Sequence, residues 1–314
     1  MSKLSSAIRK WTRRDRRPSV EASLRAELRA LRARCEPPGV QYHVPPGHYY
    51  SPIHSVDDVR QNHDAIFGSL PRMLPGIDMR EEEQAALFNE FLRYIPEAQL
   101  PPHKQESLRY YTENNWYPYG DAIFLYCMIR HFRPRRIIEV GSGFSSCAIL
   151  DTNELFFDNQ IQCTFIEPEP QRLYRAIRPE DREQINIVES PVQKVPVSHF
   201  QELEAGDILL IDSSHVSKIN SDVNYLYFEV LPQLRPGVLV HVHDIFYPFR
   251  YPDKWIYKGW AWNEAYILRA FLTFNSGFAV RFCNTLWNEF YADRILASVP
   301  RAHRSGGSIW IQRV

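Results

Sequence analysis

No Cys-x-x-Cys pair occurs in this 314-residue chain. Its five cysteines, Cys35, Cys127, Cys147, Cys163 and Cys283, stand singly, several of them inside apolar runs. That excludes a disulfide framework and a cysteine zinc site, and it suits a reducing compartment. No apolar stretch approaches the roughly 20 residues that span a bilayer. The N-terminus has no apolar core ahead of a cleavage site, so no secretory signal is expected and the location expected is cytoplasmic. Internal repeats and low-complexity tracts are absent. There is no net charge either, with 37 basic and 37 acidic residues. At 44% hydrophobic and 24% charged, the composition is that of a globular chain able to bury a core.

The charge that is present is unevenly spread. Residues 1–35 carry eleven Lys and Arg against three acids, so the remainder is acidic by the same surplus of eight. The leucines of "ASLRAELRALRARC" recur near helical period, which predicts a basic helical arm over 1–35. Such an arm suits peripheral contact with an anionic surface or a solvated tail. A segment rich in Pro and Tyr follows. Residues 55–115 then read as helical, with acids opening "SVDDVRQNHDAIFG" and "REEEQAALFNEFLRYI". Residues 36–115 are therefore expected to form a loop and helical extension, and residues 116–314 the main domain.

From residue 136, short apolar strands alternate with helical segments: "RIIEV", "CTFIE", "INIVE", "DILLID" and "GVLVHVHD". This pattern predicts an α/β fold with a doubly wound, mostly parallel sheet covered on both faces. "FAVRFCN" and "GSIWIQRV" are two further strands, with no evident helix between them, expected to pair antiparallel at one edge.

Ligands of such sheets bind at the carboxyl ends of the strands. The turn after the first strand is Gly141-Ser142-Gly143-Phe144-Ser145-Ser146. No Lys-Ser or Lys-Thr follows, so it is not a P-loop. Ser146 stands where a dinucleotide fingerprint has its third glycine. Three carboxylates surround the turn. Glu139 would repel a pyrophosphate but attract an ammonium group. Glu167, at the end of the second strand, can take both hydroxyls of a ribose. Asp212, at the end of the fourth, can serve the same cation as Glu139. Two acids for an amino-acid end, one for a ribose and no phosphate clamp suit S-adenosylmethionine better than NAD.

On these residues the chain resembles the class I S-adenosylmethionine-dependent methyltransferases of the small-molecule and sugar branch. The family pattern E-x-G-x-G matches Glu139, Gly141 and Gly143, and its acid after the second strand matches Glu167. The resemblance implies a Rossmann-like, seven-stranded sheet ending in an antiparallel hairpin. It implies a cofactor site of Glu139, Gly141, Ser142, Gly143, Ser145, Ser146, Glu167 and Asp212, with Gln193 beside the adenine. Related metal-dependent O-methyltransferases use acids after strands 4 and 5, matched here by Asp212 and Asp244. Their usual Asn or Asp neighbour is Ile245 in this chain, so a divalent metal would need His243 or His215 to complete its ligands.

Transfer to a hydroxyl needs a base near the acceptor oxygen. His215 is the expected general base, with Asp244 beside it, because histidine titrates near neutrality. His241 reads as a buried histidine with its bonds satisfied. The aromatic segment "YPFRYPDKWIYKGWAWNEAY" could wall a ring- or sugar-binding pocket. The expected activity is O-methylation of a small molecule or sugar by in-line displacement, without a nucleic-acid partner. The alternatives are a non-catalytic scaffold on the same fold and a nicotinamide-dependent oxidoreductase. Oligomeric state and acceptor identity are not legible.

Overall fold

The computed structural model describes residues 24, 25, 27 and 43–314. The basic arm expected over 1–35 lies, apart from those first three residues, outside the described residues. The chain divides into two compact units, residues 1–55 and 56–314. In the first, residues 43–55 make tight turns, with the Gly47 N–H donating to the Ile53 carbonyl (3.1 Å).

The second unit opens with two short helices, Val56–Gln61 and His63–Phe67, and a longer one, α1 (Glu81–Phe91). The helical reading of 55–115 holds for these segments only. Residues 98–118 are irregular, because Pro101, Pro102 and Pro118 remove backbone donors and fix φ along the stretch. α2 (Tyr119–Phe132) follows, with ten consecutive buried residues from Gly120 to Ile129.

A seven-stranded sheet lies behind α2. Its strands are β1 (Arg136–Val140), β2 (Gln162–Ile166), β3 (Asn186–Val188), β4 (Ile208–Ile211), β5 (Leu239–His243), β6 (Phe278–Cys283) and β7 (Ser308–Arg313). Their spatial order is β3-β2-β1-β4-β5-β7-β6. β1 to β5 pair in parallel, and β7 runs antiparallel between β5 and β6. The central strands β4 and β5 are buried at every position, which explains why "ILLI" and "LVHVH" do not alternate apolar with polar. The expected fold is therefore present, including the antiparallel C-terminal pair.

The connection from β6 to β7 differs from the expected hairpin in carrying two helices, Asn284–Phe290 and Ala292–Ser298. Each has only seven residues, too few to display a helical period over the window in which periodicity is readable. Helix α3 (Phe144–Phe157) follows β1, and α4 (Gln171–Ala176) follows β2.

A buried ion cluster fastens the irregular segment before α2 to this scaffold. The Arg109 guanidinium donates to Asp151 on α3 (2.9 Å) and, through Nε, to Asp181 (2.7 Å). Backbone N–H groups of Arg109 and Tyr110 also donate to the Asp151 carboxylate (3.0 and 2.8 Å). Among the described residues, no helix is long and apolar enough to cross a membrane.

Candidate active site

Strands β1, β2 and β4 end at one rim, and backbone bonds carry the ladder into the turns beyond them. The Gly141 N–H donates to the Ile166 carbonyl (3.0 Å), and the Asp212 N–H to the Val140 carbonyl (2.8 Å). Gly141 has φ +81°, and a Cβ there would lie 1.9 Å from the Asp212 carbonyl oxygen. Only glycine fits. Gly143 is extended, and the nearest atom to a Cβ there is Arg172 Cδ at 3.5 Å. Its small size leaves the space above the turn open.

The turn is organised by carboxylates. Glu167 accepts from the Ser142 N–H (3.0 Å) and the Glu169 N–H (2.9 Å), which leaves lone pairs on both oxygens for further donors. The Gly143 N–H donates to Ser146 Oγ (3.0 Å), and the Ser146 hydroxyl donates to Glu139 Oε2. Glu139 is fully buried, and its other oxygen, Oε1, has no partner among the described residues. Burial pushes its carboxyl up to about 8, against the hydroxyls of Ser145 and Ser146. The Ser142 hydroxyl and the Tyr117 phenol are likewise buried without partners among the described residues. Orphaned polar groups of this kind call for a ligand or water.

Two cavities meet at the turn, sharing Gly141, Glu167, Asp212, Ser213 and Ser214. One, of about 390 Å³, extends past Pro191 and Gln193. The Gln193 amide is tied to the Asn220 carbonyl (2.7 Å), so it lines this cavity with its donor already engaged. The other, of about 280 Å³, runs past Trp116 and Tyr117 to His215, His243, Asp244 and Trp262.

His215 stands at the far end of the second cavity, hemmed by three carboxylates. Its Nδ1 lies 2.8 Å from Glu264 Oε2, and its Nε2 lies 3.5 Å from Asp212 and 3.6 Å from Asp244. Burial disfavours the charged imidazole, but Asp212 and Glu264 outweigh it and hold the ring well above its ordinary value. Burial pushes Asp244 the other way for an acid, up to about 6, against the attraction of His243 and His215. His215 and Asp244 both have positive φ, +59° and +55°, conformations that non-glycine residues hold only when their surroundings enforce them. Here the enforcement is visible. The His215 carbonyl accepts the N–H groups of Asn263 and Glu264 (3.0 and 3.1 Å) at the start of α5 (Glu264–Leu272). The Asn263 side chain accepts from the Ser217 N–H (2.6 Å) and donates to its carbonyl (3.2 Å). The Trp262 ring lies over His215 with centroids 4.4 Å apart, and Trp260 stacks on Trp262 at 4.8 Å.

The candidate metal set is not assembled. His243 Nε2 is 3.6 Å from Asp244, and His215 Nε2 lies 3.5 Å from Asp212 and 3.6 Å from Asp244. Among the described residues, no group of three or more His, Cys, Asp or Glu side chains is placed to hold a metal ion. His241 is buried as expected, but neither ring nitrogen has a partner among the described residues. Burial and the neighbouring His243 keep it neutral.

Sequence reasoning missed Glu264, Asp121, Trp116, Tyr117 and Arg172. Glu264 stands 49 positions from His215, and no motif links them. Asp121, on α2, accepts from Asn284, Ser308 and Gly307 and faces His243 at 3.9 Å.

Residues 138–245, the segment from β1 to the loop after β5, match a family model described as a methyltransferase domain. The chain belongs to the class I S-adenosylmethionine-dependent methyltransferases. An uncharacterized protein of Archaeoglobus fulgidus is 35% identical over 164 residues, which cover 51% of this methyltransferase and 73% of that protein. Among solved structures, the S-adenosylhomocysteine-bound methyltransferase PaMTH1 of Podospora anserina is 12% identical (TM-score 0.41), covering 88% of this chain and 100% of that one. The O-methyltransferase TomG of Streptomyces achromogenes, solved with S-adenosylmethionine, is 13% identical (TM-score 0.40), covering 82% and 96%.

Proposed function

We propose that the protein is an O-methyltransferase acting on a small-molecule or sugar hydroxyl, with cofactor and acceptor meeting where the two cavities join. The observation that carries this reading is a buried, half-satisfied Glu139 beneath a glycine turn that opens toward the His215–Asp244 pair. When bound, S-adenosylmethionine supplies a methyl group on a sulfonium sulfur; the C–S electron pair stays on sulfur as the acceptor oxygen takes the methyl.

Every other part of the reading rests on the chain's own residues. Glu139 Oε1, the Ser142 hydroxyl and Asp212 offer partners for an amino-acid end. Glu167 offers lone pairs to a ribose, and Gln193 borders the adenine side. Gly141, Ser145 and Ser146 hold the turn in shape, and Gly143 leaves it open. His215 takes the proton of the acceptor hydroxyl, and Asp244 orients that hydroxyl. Because Asp212 and Glu264 hold the imidazole well above its ordinary value, it must shed a proton before it can act. Trp262 and Trp260 give the acceptor a flat apolar wall. No step is routed through a metal. The four described cysteines are free and buried, which suits a cytoplasmic setting.

The test is calorimetric titration of S-adenosylmethionine, with and without EDTA, into the wild type and Glu167→Ala. Binding that weakens about 10- to 100-fold in the variant is expected, the worth of one or two charge-assisted hydrogen bonds. A folded wild type that does not bind refutes the reading.

A further inference from the structure

A third cavity, of about 430 Å³, opens beside the site, and its lining includes Lys104, Phe144, Glu169, Arg172 and Arg175. Arg172 and Phe144 also line the cavity that holds His215 and Asp244, so the two spaces adjoin. Three cations face the new cavity against one carboxylate, on a body whose residues beyond the first 35 carry a surplus of acids. Arg109 also borders it, but its charge is spent on Asp151, Asp181 and Glu154. Lys104, Arg172 and Arg175 differ: among the described residues, none of the three forms an ion pair with a carboxylate. Arg172 is held by the Trp116 ring, with its guanidinium carbon 3.8 Å from the centroid. That contact aligns the planar fork without consuming its donors, which suits recognition of a phosphate.

We propose that this cavity binds a phosphate or diphosphate group carried by the acceptor, so that the substrate is a phosphorylated or nucleotide-linked hydroxyl compound. The proposal rests on the methyltransferase reading above and names its substrate class. The anion sits among Lys104, Arg172 and Arg175, and the hydroxyl to be methylated reaches past Phe144 to His215 and Asp244. The cofactor lies against Glu167 and Gln193, neither of which lines the basic cavity, and does not compete for it.

The probes are inorganic phosphate and inorganic pyrophosphate, titrated into the full chain saturated with S-adenosylhomocysteine and followed by calorimetry and tryptophan fluorescence. Saturable binding is expected, with a fluorescence change that Trp116→Phe abolishes while calorimetric binding persists. Lys104→Gln/Arg175→Gln should weaken the tighter-binding probe by about tenfold or more and leave S-adenosylhomocysteine affinity within about twofold, which also establishes that the variant is folded. The stronger of the two probes identifies a monophosphate or a diphosphate group. No saturable binding, or binding unchanged in the double variant, overturns the anion subsite while leaving the methyltransferase reading intact. Competition between either probe and S-adenosylhomocysteine also overturns it, by assigning the cavity to the cofactor. Failure of S-adenosylhomocysteine itself to bind the wild type is the distinct result that removes the underlying reading.

Discussion

The two halves of the site are built differently. The proposed cofactor side has a local core: Glu139, Gly141, Ser142, Gly143, Ser145 and Ser146 fall within eight consecutive residues, joined by the Gly143–Ser146–Glu139 hydrogen-bond chain, with Glu167, Gln193 and Asp212 added from later loops. The proposed acceptor side is assembled from Trp116, Arg172, His215, Asp244, Trp262 and Glu264, which come from the segments before α2, after β2, after β4, after β5 and at the start of α5. A local half depends on backbone conformation, so small steric changes there should be severe. A dispersed half depends on charge balance among distant groups, so its changes should show in pH dependence.

The largest effect is therefore expected at Gly141. A Cβ 1.9 Å from a carbonyl oxygen at positive φ should make Gly141→Ala destabilise the fold by about 3 kcal/mol or more, read as a fall in the denaturation midpoint. Gly143→Ala, extended and unobstructed, should leave that midpoint nearly unchanged while weakening S-adenosylhomocysteine binding. Equal loss of stability in the two variants would erase the distinction between a structural and a ligand-facing glycine.

On the dispersed side, Glu264→Gln removes one of the charges that hold His215 protonated. Activity should rise with pH as His215 deprotonates, with its midpoint well above 6.5 in the wild type, and the variant should move that midpoint downward. Stability moves with it. A raised histidine pKa contributes stability that is present at low pH and is lost as pH rises through the folded value. The variant should thus be less stable than wild type below about pH 6.5 and closer to it at high pH. An activity midpoint near 6 that ignores Glu264 would transfer the base role to Asp244, whose carboxyl burial pushes up to about 6.

The smallest effect expected is proton release on cofactor binding. Glu139, pushed up to about 8, keeps its proton at pH 7 in the free protein, and an incoming ammonium should expel it. Calorimetry in buffers of different ionisation enthalpy should register about one proton released at pH 7, fading above pH 8. The same carboxyl works against the unliganded fold as pH rises from about 4.5 to 8, since over that window only the unfolded chain has surrendered its proton.

The contrast also decides what could be read in the sequence. Strands β1 to β5 and the glycine turn were legible because their signals are contiguous: apolar runs, two glycines and acids at strand ends. His215 and Asp244 were legible as clusters after their strands. Glu264 was not, because its pairing with His215 exists only once α5 has docked its first N–H groups on the His215 carbonyl. The metal reading followed from the positions of Asp212 and Asp244, and the sequence does not show that both come within 3.6 Å of His215 Nε2. Arg172 was invisible as a site residue because an exposed arginine on a six-residue helix has no local mark. Its meaning comes from Trp116, 56 positions earlier, and from the lack of a carboxylate partner.

The clasp at Arg109 sets a limit on how this fold can be recombined. Asp151 and Asp181 belong to the part of the chain that matches the methyltransferase family, whereas their counter-charge arrives from the irregular segment ahead of α2. A chimera that joined β1 onward to a foreign leader would inherit two buried acids without the Arg109 guanidinium, at about 3–5 kcal/mol for an ion pair broken from one side. The segment before the recognisable domain is thus as much a part of its folding unit as any strand, and exchanges between relatives should keep the two together.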